Sequence, residues 1–320
     1  MSRITVTALS FLALVFAWAT AVAAPFSVGD IFVSTGVGAF GSTPGSIKHY
    51  LPDATLLGSL SNGTGNFSPL GSAFDHAGNF YVADYSGNAI NRFAGRGEPH
   101  MLADTLLHPS AIVFARDGHL IVGYIANVNT TDEGGIVELD GHGNYVKTIL
   151  AGFAVGWLEL AADQDTILYT YAVADAASGV QRVSRGSEQS RGYSNFFSTA
   201  GSGQVRILPN GDVLVGGMYR AYHLNARGEV IGSYAVTGAQ SLWSIALLPG
   251  GNEFLLGSHS ARKLYRFKVA PGTNVDNQLQ VIDVTSAPYS VLVYGGYSAA
   301  AGVVCGPAQG ARCDGIARSQ

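Results

Sequence analysis

Apolar and polar residues alternate along this chain in runs of about five, and each run ends in a turn rich in glycine, asparagine or aspartate. Phe80-Tyr-Val-Ala-Asp84, Leu120-Ile-Val-Gly-Tyr124 and Val213-Leu-Val-Gly-Gly217 show the pattern. A period of two in β-branched and aromatic residues predicts strands. No stretch of similar length joins a helix cap to a 3.6-residue apolar period, so an all-β chain is expected. Asp117-Gly118, Asn210-Gly211 and Gly250-Gly251 fall between consecutive runs, where a tight hairpin needs positive φ. A later turn recurs as Asp140-Gly-His-Gly143 and Asn225-Ala-Arg-Gly228, and turn chemistry accounts for these Asp and Asn residues.

The runs are organised as a repeat. Gly71 to Phe93 parses as strand, turn, strand, turn, strand, and echoes begin near residues 110, 157, 203, 243 and 289. A spacing of 40 to 47 residues between short strands and glycine turns is the signature of a β-propeller. At the N-terminus, the runs at 29–35, 46–51 and 55–60 read as second, third and fourth strands without a first. At the other end, Tyr289-Ser-Val-Leu-Val-Tyr294 reads as a first strand without followers. Joining the two predicts six blades, closed by pairing the C-terminal strand with the N-terminal strands, which removes an exposed sheet edge. The expected division is a leader at 1–24, one propeller at 25–296 and a Gly/Ala-rich tail at 297–320.

The unit from Gly71 to Phe93 resembles an NHL repeat, through Asp75, Gly78, Asn79, Tyr81, Val82, Ala83, Asp84, Asn88, Ile90 and Phe93. The other units keep the architecture without the signature. The resemblance implies a six-bladed propeller of the superfamily that also holds the gluconolactonase and senescence-marker family and the streptogramin lyases. Those families imply metal-dependent hydrolysis or elimination. The Glu-Gly-Pro opening of the first and the Trp-Phe-Thr-Glu strand of the second are absent here, so no catalytic residue carries over.

Composition narrows the field. With 47% apolar and 12% charged residues and 42 glycines in 320, the chain is neither disordered nor collagen-like nor a coiled coil. A net charge of −4, with lysine only at 48, 147, 263 and 268, argues against nucleic acid as a partner. Residues 1–24 carry Arg3, a short apolar stretch and the small-residue end Ala21-Val-Ala-Ala24, which reads as a secretory signal peptide. No later run is long enough for a transmembrane segment. The expected location is therefore secreted or periplasmic, where Cys305 and Cys313 are expected to form a disulfide.

In an up-and-down blade, the loop between second and third strands and the link to the next blade share one face. That loop-bearing face is the expected site of function. It would present Asp84 and Asn88, Tyr219 with Arg220, and His259, while His108, Trp157, Gln204, Trp243 and Tyr289 open or approach the innermost strands. The histidines could act as base or metal ligand, and the aromatic residues could stack on flat ligands. Each also has a structural reading: turn support for Asp84, strand entry for His108, and packing between blades for the aromatics. Asn127, Asp132 and Glu133 supply oxygen donors for calcium or magnesium in principle, although no cofactor is required by the sequence. No nucleophile elbow, zinc helix or phosphate loop occurs. The expected function is a binding module for a small molecule, glycan or protein at the propeller mouth. The alternatives are a metal-dependent hydrolase or lyase and a purely structural envelope protein.

Overall fold

The computed structural model describes residues 26–36, 44–97, 99–104, 106–126, 133–171, 179–187, 189–194, 203–300 and 302–303. No helix occurs among them, and six sheets form a ring. The expected six-bladed propeller is what the chain adopts. The innermost strands are Pro288–Val293, Pro69–Phe74, Pro109–Phe114, Val155–Leu160, Val205–Ile207 and Ser244–Leu247, in blades one to six. In the first blade, Pro288–Val293 pairs antiparallel with Ile31–Thr35, which pairs with Ser46–Tyr50 and then Leu56–Leu60. The C-terminal strand thus closes the ring on the N-terminal three.

Strand alternation explains how the ring holds together. Along Leu120–Ile125, Leu120 and Val122 join a cluster with Tyr81 and Ile90 of the second blade. Ile121, pointing the other way, joins a cluster with Leu158 and Tyr169 of the fourth. Six such clusters each fill the wedge between two neighbouring blades. A period-two sequence buried on both faces is what this geometry requires. Near the axis the innermost strands crowd together, and a Cβ on Gly71 would stand 2.6 Å from the Ala111 Cα.

The hairpin face is built from one repeated device. Asp75 accepts hydrogen bonds from the amides two and four residues on, Ala77 and Asn79. Asp140 does the same for His142 and Asn144, and Asn225 for Arg227 and Glu229. These short side chains replace the backbone acceptor that a tight turn lacks.

Two features were not legible in the sequence. Gly272–Val275, from the link before the outer strand of blade six, adds a parallel fifth strand to blade five and covers its edge. Residues 297–300, grouped above with the tail, pack beneath the ring: Tyr297 against clusters of blades five and six, Ala299 and Ala300 against those of blade four.

Candidate functional site

Five of the seven described non-glycine residues at positive φ lie on the loop-bearing face: Asn88, His108, Ser241, Arg262 and, at its outer edge, Asp276. Such conformations cost energy and persist where surrounding contacts impose them, often around binding sites. Asn88 shows how: its Oδ1 accepts the His108 amide at 2.9 Å, which fixes the turn into blade three.

Around the mouth of the channel, five rings form a collar. The His108 imidazole stacks on Tyr85 at 4.6 Å, and its Nδ1 lies 3.1 Å from the Ile125 carbonyl, which accepts its proton. On the other side, His259 meets Tyr289 edge-on at 4.6 Å and Trp243 at 5.7 Å. Tyr289 packs against the cluster of Tyr85, Ile125 and Ala154, so the two groups join across the ring. Burial holds the His259 imidazole below its usual pKa, and Arg262 pushes it the same way. It is therefore neutral at neutral pH, and among the described residues its ring nitrogens bond to no protein group. His108, Trp243, His259 and Tyr289 remain half-buried, which leaves ring surface for a ligand.

The other candidates are placed differently. Asp84 is buried and accepts from the amides of Ser68 and Gly87 and from the side chains of Asn62 and Asn91, so it holds a turn. Burial raises its pKa against those hydrogen bonds. Gln204 crosses beside the axis: its Nε2 donates to Ser290 Oγ, and its Oε1 accepts from the amides of Ile245 and Val291. It ties blades five, six and one. Trp157 is half-buried on the innermost strand of blade four. Tyr219 is 62% exposed, and Arg220 turns outward to Ser233 Oγ. Of the expected cation ligands, Asn127 and Asp132 lie outside the described residues and Glu133 is exposed. Cys305 and Cys313 and the 1–24 leader also lie outside them.

The ionisable chemistry sits on the opposite, hairpin face. In blades one, three and five, the residue before the second strand faces the penultimate residue of the third. The pairs are Asp30 with His49 at 2.8 Å, His119 with Glu138 at 2.5 Å and Asp212 with His223 at 3.2 Å. All three blades share one register, Ile31 with Tyr50, Leu120 with Leu139 and Val213 with Leu224, so the same diagonal recurs. A turn of the next blade then caps each pair. Arg96 Nε donates to His49 Nδ1 at 3.3 Å, which makes Nε2 the proton donor to Asp30. Arg185 donates to both oxygens of Glu138 and to Asp117, and the Ala270 carbonyl lies 3.4 Å from His223 Nδ1.

Asp117, His119 and Glu138 form the one group of three or more potential metal ligands among the described residues whose ligand atoms lie within 4.8 Å of one another. It does not fit a divalent ion well, because cations already occupy it. The Arg185 guanidinium bridges Glu138 and Asp117, and Lys147 Nζ lies 3.6 Å from Glu138. These contacts, with His119, hold the Glu138 carboxyl well down, at about 2, against the opposing effect of burial. The group reads as a staple between blades three and four.

No protein-family model matches this chain, and no curated protein does. Solved structures do. A chain from a nidogen/laminin complex superposes with a TM-score of 0.64 at 13% identity, covering 83% of this chain and 98% of that one. A gluconolactonase from Xanthomonas campestris superposes at 0.57 with 12% identity, covering 72% and 84%. The likeness is one of fold.

Proposed function

We propose that this protein is an exported binding propeller whose loop-bearing mouth takes a ligand with flat apolar faces, such as a sugar ring or an aromatic side chain of a partner protein. The observation that carries the reading is the collar of Tyr85, His108, Trp243, His259 and Tyr289, half-open on a face held by left-handed turns. Aromatic faces supply large contact area with little conformational freedom to lose. The nidogen/laminin neighbour, a propeller from a protein complex, is compatible with such a role.

The test is intrinsic fluorescence together with glycan and extract capture on the chain lacking residues 1–24. Its tryptophans would be Trp157, on the innermost strand of blade four, and Trp243, immediately before that of blade six. Saturable quenching by a captured ligand, lost in Trp243→Ala and Tyr289→Ala with the fold intact, supports the reading. Retained capture in both variants places binding elsewhere and ends it. The hydrolase or lyase alternative rests on fold likeness to a gluconolactonase, and a donor set filled by Arg185 and Lys147 gives it no further support. A calcium- or magnesium-dependent rise in melting temperature would revive it.

A further inference from the structure

Between the inner strands lies a chamber of about 140 Å³, to which all six blades contribute. Phe74, Phe114, Leu247 and Leu292 give it apolar walls, and Tyr297 and Ser298 form part of its floor. A single ion pair sits in the wall: Arg206 Nη1 donates to Glu159 Oε2 at 3.0 Å and also to the Val205 carbonyl. Both side chains are nearly buried, 12% and 6% exposed. The remaining donors of Arg206, on Nε and Nη2, have no acceptor among the described residues. Neither nitrogen is among the buried side-chain atoms left without a partner, so this edge is open rather than sealed in, and its planar fork matches a carboxylate.

We propose that this chamber binds a small monocarboxylic acid with an apolar body, its carboxylate on the free edge of Arg206. The volume suits a ligand on the order of ten non-hydrogen atoms. Such a ligand would bring a second negative charge to Arg206, so one carboxyl must be neutral in the complex. Glu159 is placed to take the proton. Burial already raises its pKa, while Arg206, Ser298 and the Ala299 amide pull the other way. The other titratable groups lining the chamber are Tyr297, whose pKa burial and the neighbouring Glu159 raise, the exposed His76, and Asp75, whose carboxylate is taken by the Ala77 and Asn79 amides and the Tyr81 hydroxyl. Binding should therefore take up a proton and tighten as the solution is acidified.

Titration calorimetry of the whole chain with benzoate, and with benzamide as a neutral isostere, tests this. Benzoate should bind saturably, several-fold more tightly near pH 5.5 than near pH 7.5, with proton uptake seen as a dependence on buffer ionisation heat. Benzamide should bind at least tenfold more weakly. Arg206→Gln should cost at least tenfold in benzoate affinity. Ser72→Leu, which fills the chamber without touching the ion pair, should abolish binding and keeps the test valid if the first variant does not fold. Trp243→Ala should leave benzoate binding unchanged, which separates this site from the mouth. No benzoate binding at either pH, equal binding of benzamide, or loss of binding in Trp243→Ala would each overturn the proposal.

Discussion

The two faces of this propeller solve different problems with the same blades. On the hairpin face, every second blade carries an acid–histidine pair capped by its neighbour, and Asp or Asn side chains close the turns. On the loop-bearing face, aromatic rings surround the opening and the buried polar groups, Asp84 and Gln204, serve backbone amides. The buried ion pairs of the hairpin face, with their caps, join blades, and apolar ring surface is left open at the mouth. On the hairpin face, therefore, ionisable clusters hold neighbouring blades together, whereas on the loop-bearing face half-open rings are the feature that the proposed recognition rests on.

Breaking the largest staple gives the strongest test of that contrast. Arg185→Ala strands a nearly buried Glu138 carboxylate and should cost about 3 kcal/mol, read as a lowered urea midpoint. Asp117→Ala, which removes the half-exposed arm of the same network, should cost less than about 1 kcal/mol. Equal losses in the two variants would mean that Glu138 is not the anchor. Next comes Gln204→Ala, which leaves the Ile245 amide unpaired beside the axis and should cost about 2 kcal/mol without altering collar fluorescence.

Acid should sharpen the same comparison. The Glu138 carboxyl has a folded-state value of about 2, below its ordinary 4.5. Its contribution to stability is full above the ordinary value and is lost as pH falls from there toward about 2. Melting temperatures across that window should drop, and Glu138→Gln should flatten this part of the profile. His49 acts in the same direction at higher pH. Its pKa is depressed chiefly by burial, partly offset by Asp30, so protonation favours the unfolded chain as pH falls below the ordinary histidine value of 6.5. The smallest effect belongs to the mouth. In Trp157→Phe, emission from Trp243 should change as His259 protonates below pH 6.5, with little change in stability. An emission that stays flat to the acid transition would separate the two rings in solution.

How much of this was readable beforehand depends on how local the cause is. Hairpin turns at Asp75, Asp140 and Asn225 are decided within five residues, and the sequence shows them directly. Rings at 108, 243, 259 and 289 were legible as positions on one face, because blade topology sends those loops there. Their joining through Tyr85 was not, since it depends on side chains from blades separated by more than a hundred residues. Glu159 and Arg206 carried no signal at all: each reads as one polar residue in an ordinary strand, and only closure of the ring brings them together.

By itself, then, the amino-acid order determined the strands, their turns, the number of blades and the means of closure, because period-two burial and positive-φ turns are short-range requirements. Tertiary structure alone decided which polar residues became staples, which lined a chamber and which stayed open. A propeller brings distant strands to one axis, and the environment of a side chain there is set by the five other blades rather than by its neighbours in sequence.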